Sequence, residues 1–110
     1  MEKSANYETR LSFLETQLTE QEAICKAKKD HLDEVQAEAL QKQFDLTELN
    51  HPTFFQRHFG NLRKRKDEAW AVYQEAVLQV EQAKLDLEEQ KSRMSQLQSE
   101  YQAILAKKEQ

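Results

Sequence analysis

The side chains able to transfer protons, hold a metal or act as nucleophiles are few and scattered. They are His31, His51, His58 and the single Cys25, set among many carboxylates. His31 stands with Asp30 and Glu34, and His51 and His58 are seven residues apart. Neither group makes the His-x-x-x-His or Glu-x-x-His pattern, repeated on two helices, that a di-metal bundle needs. There is no Gly-rich phosphate loop and no Ser/His/Asp constellation, nor a sheet whose cleft would hold one. Each His therefore reads as a solvated surface residue and Cys25 as a small core residue. The expectation is a protein that is not an enzyme, with no cofactor and no metal site.

A second group of residues suits binding. Around Asn50-His51-Pro52-Thr53-Phe54-Phe55-Gln56-Arg57-His58-Phe59-Gly60-Asn61, three Phe interleave with Arg57 and His58, and Arg63, Lys64, Arg65 and Lys66 follow. Aromatic rings between cations can stack bases while the cations neutralise phosphates, or the group can dock on an acidic protein surface. The structural alternative has Phe55 and Phe59 filling the end of a helical seam while Arg63 and Lys64 pair with Asp67 and Glu68 along the helix. Residues 49 to 66 carry +5 and the remainder −9, within a net charge of −4. The bend is basic and the flanking stems are acidic, which disfavours broad nucleic-acid affinity.

Those residues must be positioned by long helices. One Gly and one Pro in 110 residues leave few places to turn, and 33% charged residues leave little for a compact core. In the first segment a heptad runs with a at Ser4, Leu11, Leu18, Cys25, Leu32, Ala39 and Leu46, and d at Tyr7, Leu14, Gln21, Lys28, Val35, Lys42 and Leu49. The second has a at Phe59, Lys66, Tyr73, Val80, Leu87, Met94 and Tyr101, and d at Phe55, Leu62, Ala69, Ala76, Ala83, Gln90, Leu97 and Ile104. The polar d residues weaken a dimer seam, although Lys stems can cover apolar surface while their ammonium groups reach water. Ala69, Ala76 and Ala83 would let a partner helix come close.

The fold class this predicts is all-α: one long antiparallel two-helix coiled-coil hairpin over residues 1–110, open to association into a four-helix bundle. Helix one spans about 4–49, the bend about 50–52 or up to 61, and helix two runs to about 107. Because Phe55 and Phe59 share the register of Leu62 and Ala69, the favoured bend is at Asn50-His51. Pro52 would then take the first helical position and Gly60 would be tolerated inside. The alternative is that Gly60-Asn61 ends a short turn and caps a new helix. Two offsets suit the layers. The tighter pairs Leu46 with Phe55, Leu32 with Ala69 and Leu14 with Leu87; the looser pairs Leu46 with Leu62, Ala39 with Ala69 and Leu14 with Met94.

Several apolar residues fall outside both seams: Ile24, Leu40 and Phe44 on the first helix, and Trp70, Val72, Val77, Leu78 and Leu85 on the second. Exposed apolar patches of a few hundred Å² usually mark interfaces. A partner-binding surface is therefore expected at Trp70, Val77, Leu78, Leu85, Leu40 and Phe44, for a helical protein partner or a second copy.

No run of about eighteen apolar residues is present, so no membrane span is expected. The charged opening Met1-Glu2-Lys3 lacks the apolar stretch of a signal peptide. The lone Cys25 forms no internal disulfide and fits a reducing compartment. A cytoplasmic location follows as the expectation, with export without a cleavable signal as its variant.

The hairpin layout, small size and bend residues Arg57-His58-Phe59-Gly60-Asn61 resemble the WXG100-like proteins and their helical-hairpin accessory partners in bacterial type VII secretion. Here Phe59 adjoins Gly60 directly, in place of Trp-x-Gly, and Tyr101 is followed four residues later by Leu105 rather than by an acid. The resemblance implies a protein that pairs with another helical hairpin as a targeting partner or chaperone. The functional expectation is a protein–protein interaction module working by helix packing, as adaptor, chaperone or secretion partner. Its rival is a nucleic-acid-binding coiled-coil arm using Arg57, Arg63, Lys64, Arg65 and Lys66.

Overall fold

The computed structural model describes residues 2–49 and 62–109, which form two α-helices, α1 (Glu2–Leu49) and α2 (Leu62–Glu109), each 48 residues long. They pack against each other as an antiparallel hairpin, and among the described residues there is no strand. Neither helix contains Gly or Pro, and both are rich in Ala, Leu, Glu, Gln and Lys, the residues that lose least on entering a helix. At 1.5 Å per residue each is about 72 Å long. Thr16, Thr19 and Thr47 are accommodated by donating their hydroxyls to the carbonyls of Ser12, Glu15 and Gln43, one turn back. The bend expected at Asn50-His51, with Pro52 opening the second helix, lies outside the described residues, as do Phe54, Phe55, Arg57, His58, Phe59 and Gly60.

The expected seam forms on both helices. Every described a and d side chain, from Tyr7 to Leu49 on α1 and from Lys66 to Ile104 on α2, is buried or half-buried. Lys28 and Lys42 hold half-buried d positions, as long stems with a solvated charge can. A single seam is a shallow core: among the described residues no large side chain is fully enclosed.

The described structure divides into two compact units. The first comprises Met1–Lys29 and Asp86–Gln110. Its core is Leu11, Leu14 and Ile104, with Tyr7, Leu97, Tyr101 and Leu105 packed around them. Polar links tie its helices together. The Tyr101 hydroxyl donates to Glu15 Oε1 at 3.0 Å, Lys108 Nζ meets Glu8 Oε1 at 3.4 Å, and Gln21 Nε2 reaches Gln90. Gln21 is 3% exposed, so its amide must find partners inside the seam.

The second unit is Asp30–Leu85. Here Val35, Ala76 and Ala83 are buried, and Leu32, Ala39, Leu46, Ala69, Tyr73 and Val80 are half-buried beside them. Ala83, only 2% exposed, is the most covered of the core residues. The Ala ladder therefore lies in the seam, where small side chains permit a short interaxial distance.

Both expected offsets are corrected by these neighbours. In the first unit Leu11 shares its cluster with Ile104, and Glu15 bonds Tyr101. In the second, Ala69 lines a cleft with Lys42 and Asp45, and Ala39 lines one with Tyr73, Val77 and Val80. Each unit thus pairs about one heptad beyond the looser offset. That register gives Tyr101 and Ile104 partners, which the tighter offset leaves without any. Layers that repeat every seven residues offer similar apolar contacts at each step, so side-chain pairs of specific chemistry decide between them.

Candidate partner-binding face

Four of the apolar residues outside the seam, Leu40, Trp70, Val77 and Leu78, converge within the second unit. On α2, Trp70, Tyr73, Gln74, Val77, Leu78 and Glu81 line an open cleft of about 470 Å³. Beside it, Gln36, Ala39, Leu40 and Gln43 of α1 and Tyr73, Val77 and Val80 of α2 line another of about 330 Å³. Tyr73 and Val77 belong to both, so the clefts adjoin and form one face carried by both helices.

Helical geometry explains the convergence. Trp70 and Val77 occupy successive e positions, next to the a/d stripe, and Leu78 and Leu85 occupy successive f positions just outside them. Leu40 and Phe44 lie one turn apart on α1. In an antiparallel pair the e positions of both helices flank the same side of the seam. Val77 is half-buried, because its position borders the seam; Trp70, Leu78, Leu85, Leu40 and Phe44 stand in water, from 52% exposed at Trp70 to 66% at Leu40. The Trp70 ring is held 5.8 Å from that of Tyr73, tilted by 39°, which steadies the indole at the rim.

The face is also nearly free of charge. From Ala69 to Val80 the sequence holds one charged residue, Glu75, in a chain where a third of residues are charged, and Glu81 is the one charged side chain lining the two clefts. On α1 the outward positions Gln36, Ala37, Leu40, Gln43 and Phe44 are all neutral. Amides and aliphatic groups replace the Glu and Lys that usually solvate an outer helix face.

Other candidates are not brought to this face. Val72 is exposed on the other flank of the seam, in a cleft with Lys42, Asp45, Arg65, Glu68 and Ala69. Ile24 is exposed in the first unit. Phe13, 62% exposed in that unit, is an apolar surface residue that sequence reasoning missed. Its c position in the heptad was the available signal.

Of the basic segment, Arg63, Lys64 and Arg65 are exposed and Lys66 is half-buried at its a position, while Arg57 lies outside the described residues. Arg65 shares its cleft with the carboxylates of Asp45 and Glu68, so this flank mixes signs. His31 is exposed, and Cys25 is half-buried beside Gln21, whose amide approaches its sulfur at 3.9 Å. Among the described residues no group of three or more His, Cys, Asp or Glu is placed to hold a metal ion, and no helix is long and apolar enough to cross a membrane.

The Tyr101 hydroxyl is raised above its ordinary value of 10.0, first by its hydrogen bond to Glu15, then by desolvation and by the negative charge of that carboxylate.

Compared with protein-family models, curated proteins and solved structures, the chain matches none of them.

Proposed function

We propose that this protein is an interaction module without catalytic activity, which docks a partner helix on the face built by Leu40, Trp70, Tyr73, Val77 and Leu78. Adaptor, chaperone and secretion partner are the roles such packing serves, and pairing with another helical hairpin is what the WXG100-like resemblance implies. The observation that carries the reading is the pair of adjoining apolar clefts on a charge-poor face of an otherwise highly charged molecule. Two packed helices bury one stripe each, so a second apolar stripe finds cover only in a further helix. Docking would bury most of Trp70, and residues of that type dominate the energetics of interfaces.

Co-purification from the native host combined with light scattering tests the reading. The complex should survive high salt, because apolar burial drives it, and should be lost when Trp70→Ser is combined with Leu78→Glu while helicity is unchanged. A protein that stays monomeric and retains no helical protein would refute it. Retention of nucleic acid instead, weakening on the order of a hundredfold or more from about 50 to 200 mM salt for some five phosphate contacts, would favour the arm built on Arg57, Arg63, Lys64, Arg65 and Lys66.

A further inference from the structure

Resting on the helix-docking reading above, we infer that the helical partner of this face is a second copy of the chain, lying on it through a two-fold axis to complete a four-helix assembly. Three properties of the face point to self-association.

The first is charge. A two-fold interface places the same patch against itself, so any net charge on the patch is met by the same charge. The stems are acidic and two copies brought together elsewhere would repel. This face keeps that penalty small, since its clefts are lined on α1 by Gln36, Ala39, Leu40 and Gln43 and on α2 by Trp70, Gln74, Val77 and Leu78. Glu81 is the one charged side chain in the lining of its two clefts, in a chain where a third of residues are charged.

The second is the chemistry of its polar groups. Gln36, Gln43 and Gln74 line the clefts. An amide carries both donors and an acceptor, so a Gln can satisfy a Gln on the facing copy, whereas a carboxylate cannot satisfy a carboxylate. The chain already uses this pairing internally, where Gln21 Nε2 donates to Gln90 Oε1 at 2.8 Å.

The third is area. Leu40, Phe44, Trp70, Leu78 and Leu85 are each more than half exposed. Together they present on the order of 500 Å² of apolar surface, close to the nonpolar share of the roughly 800 Å² per partner that a specific interface buries. The patch also holds both raised side chains and open clefts, and a face that must fit itself needs both.

The test is light scattering of the full chain from micromolar to submillimolar concentration, under reducing conditions so that Cys25 cannot link copies. The expected result is a concentration-dependent rise from the 13.0 kDa monomer to twice that mass. Leu78→Glu and Leu40→Glu, both at water-exposed positions, should each keep the helical circular dichroism and weaken the dimer at least about thirtyfold. A dimer that persists unchanged in both variants overturns the inference, because some other surface then holds it. A strict monomer that binds a different helical protein, and loses it on Leu78→Glu, overturns the second copy while leaving the docking reading intact. A monomer that binds no helix on this face overturns both.

Discussion

Gln21 spans the seam to Gln90, its side-chain amide donating at once to the Gln90 side-chain oxygen at 2.8 Å and to the Gln90 main-chain oxygen at 3.0 Å. This is the most buried polar side chain among the described residues, placed where a heptad repeat calls for an apolar one. A buried amide is costly without partners, so a slide of one helix by a heptad would strand it. Gln21 and Gln90 thus act as a register pin in the first unit, supported by Tyr101 on Glu15 and Lys108 beside Glu8.

A double-mutant cycle on Gln21 and Gln90 should show this coupling. Gln21→Ala and Gln90→Ala are each expected to cost about 1 kcal/mol, and the double variant less than the two together. Urea unfolding followed by circular dichroism measures it. Strict additivity would mean that the contact contributes nothing of its own.

The seam and the outer face should respond differently to substitution. Ile104→Ala or Leu14→Ala removes a core side chain of the first unit and should lower stability by about 2–3 kcal/mol, the low end for Leu or Ile in a core because the seam is shallow. Leu78→Ser, on the outer face, should leave the unfolding free energy of the monomer within about 0.5 kcal/mol. Denaturant midpoints at a concentration where the chain is monomeric distinguish the two.

Most of the fold was legible in the chain because the 3.5-residue spacing belongs to each helix by itself. Tyr7 to Leu49 and Lys66 to Ile104 read as seam residues and became seam residues, including the polar Gln21 and the small Ala76 and Ala83. The register was not legible, because heptad layers look alike from one repeat to the next. It depends on particular meetings, such as Leu11 with Ile104 and Gln21 with Gln90, that no single helix contains. The candidate face was half legible. The outward apolar residues could be counted, but that Leu40 shares a cleft with Val77, while Val72 falls on the other flank, follows only from the pairing.

Ala83 tests how closely the helices approach. At 2% exposure it leaves no room for a larger side chain, so Ala83→Leu should destabilise the hairpin by about 1–3 kcal/mol through overpacking. If Ala were present only for its helix propensity, Leu, nearly as good a helix former, would be neutral or stabilising. Thermal unfolding of the variant separates the two explanations.

Stability should also fall in alkali through Tyr101. Its folded-state value is raised above the ordinary 10.0, so its contribution is fully present below about pH 10 and is lost as pH climbs through the raised folded value. Tyr101→Phe cannot donate to Glu15 and should be slightly less stable at neutral pH, with a shallower decline above pH 10 than the parent. Unfolding midpoints across the alkaline range give the comparison. Parallel curves for parent and variant would show that the hydrogen bond carries no linkage.

The central claim, that the face around Trp70 docks a helix, is read most directly from the fluorescence of Trp70, the only Trp in the chain. The ring is 52% exposed in the single hairpin, so the dilute monomer should emit as a hydrated indole and be readily quenched by acrylamide. Docking of a second copy or of a co-purifying helical protein should shift the emission to the blue and protect it from the quencher, and Leu78→Glu should abolish both changes. Emission that stays red and fully quenchable at every concentration, with the bound protein present, would contradict the account.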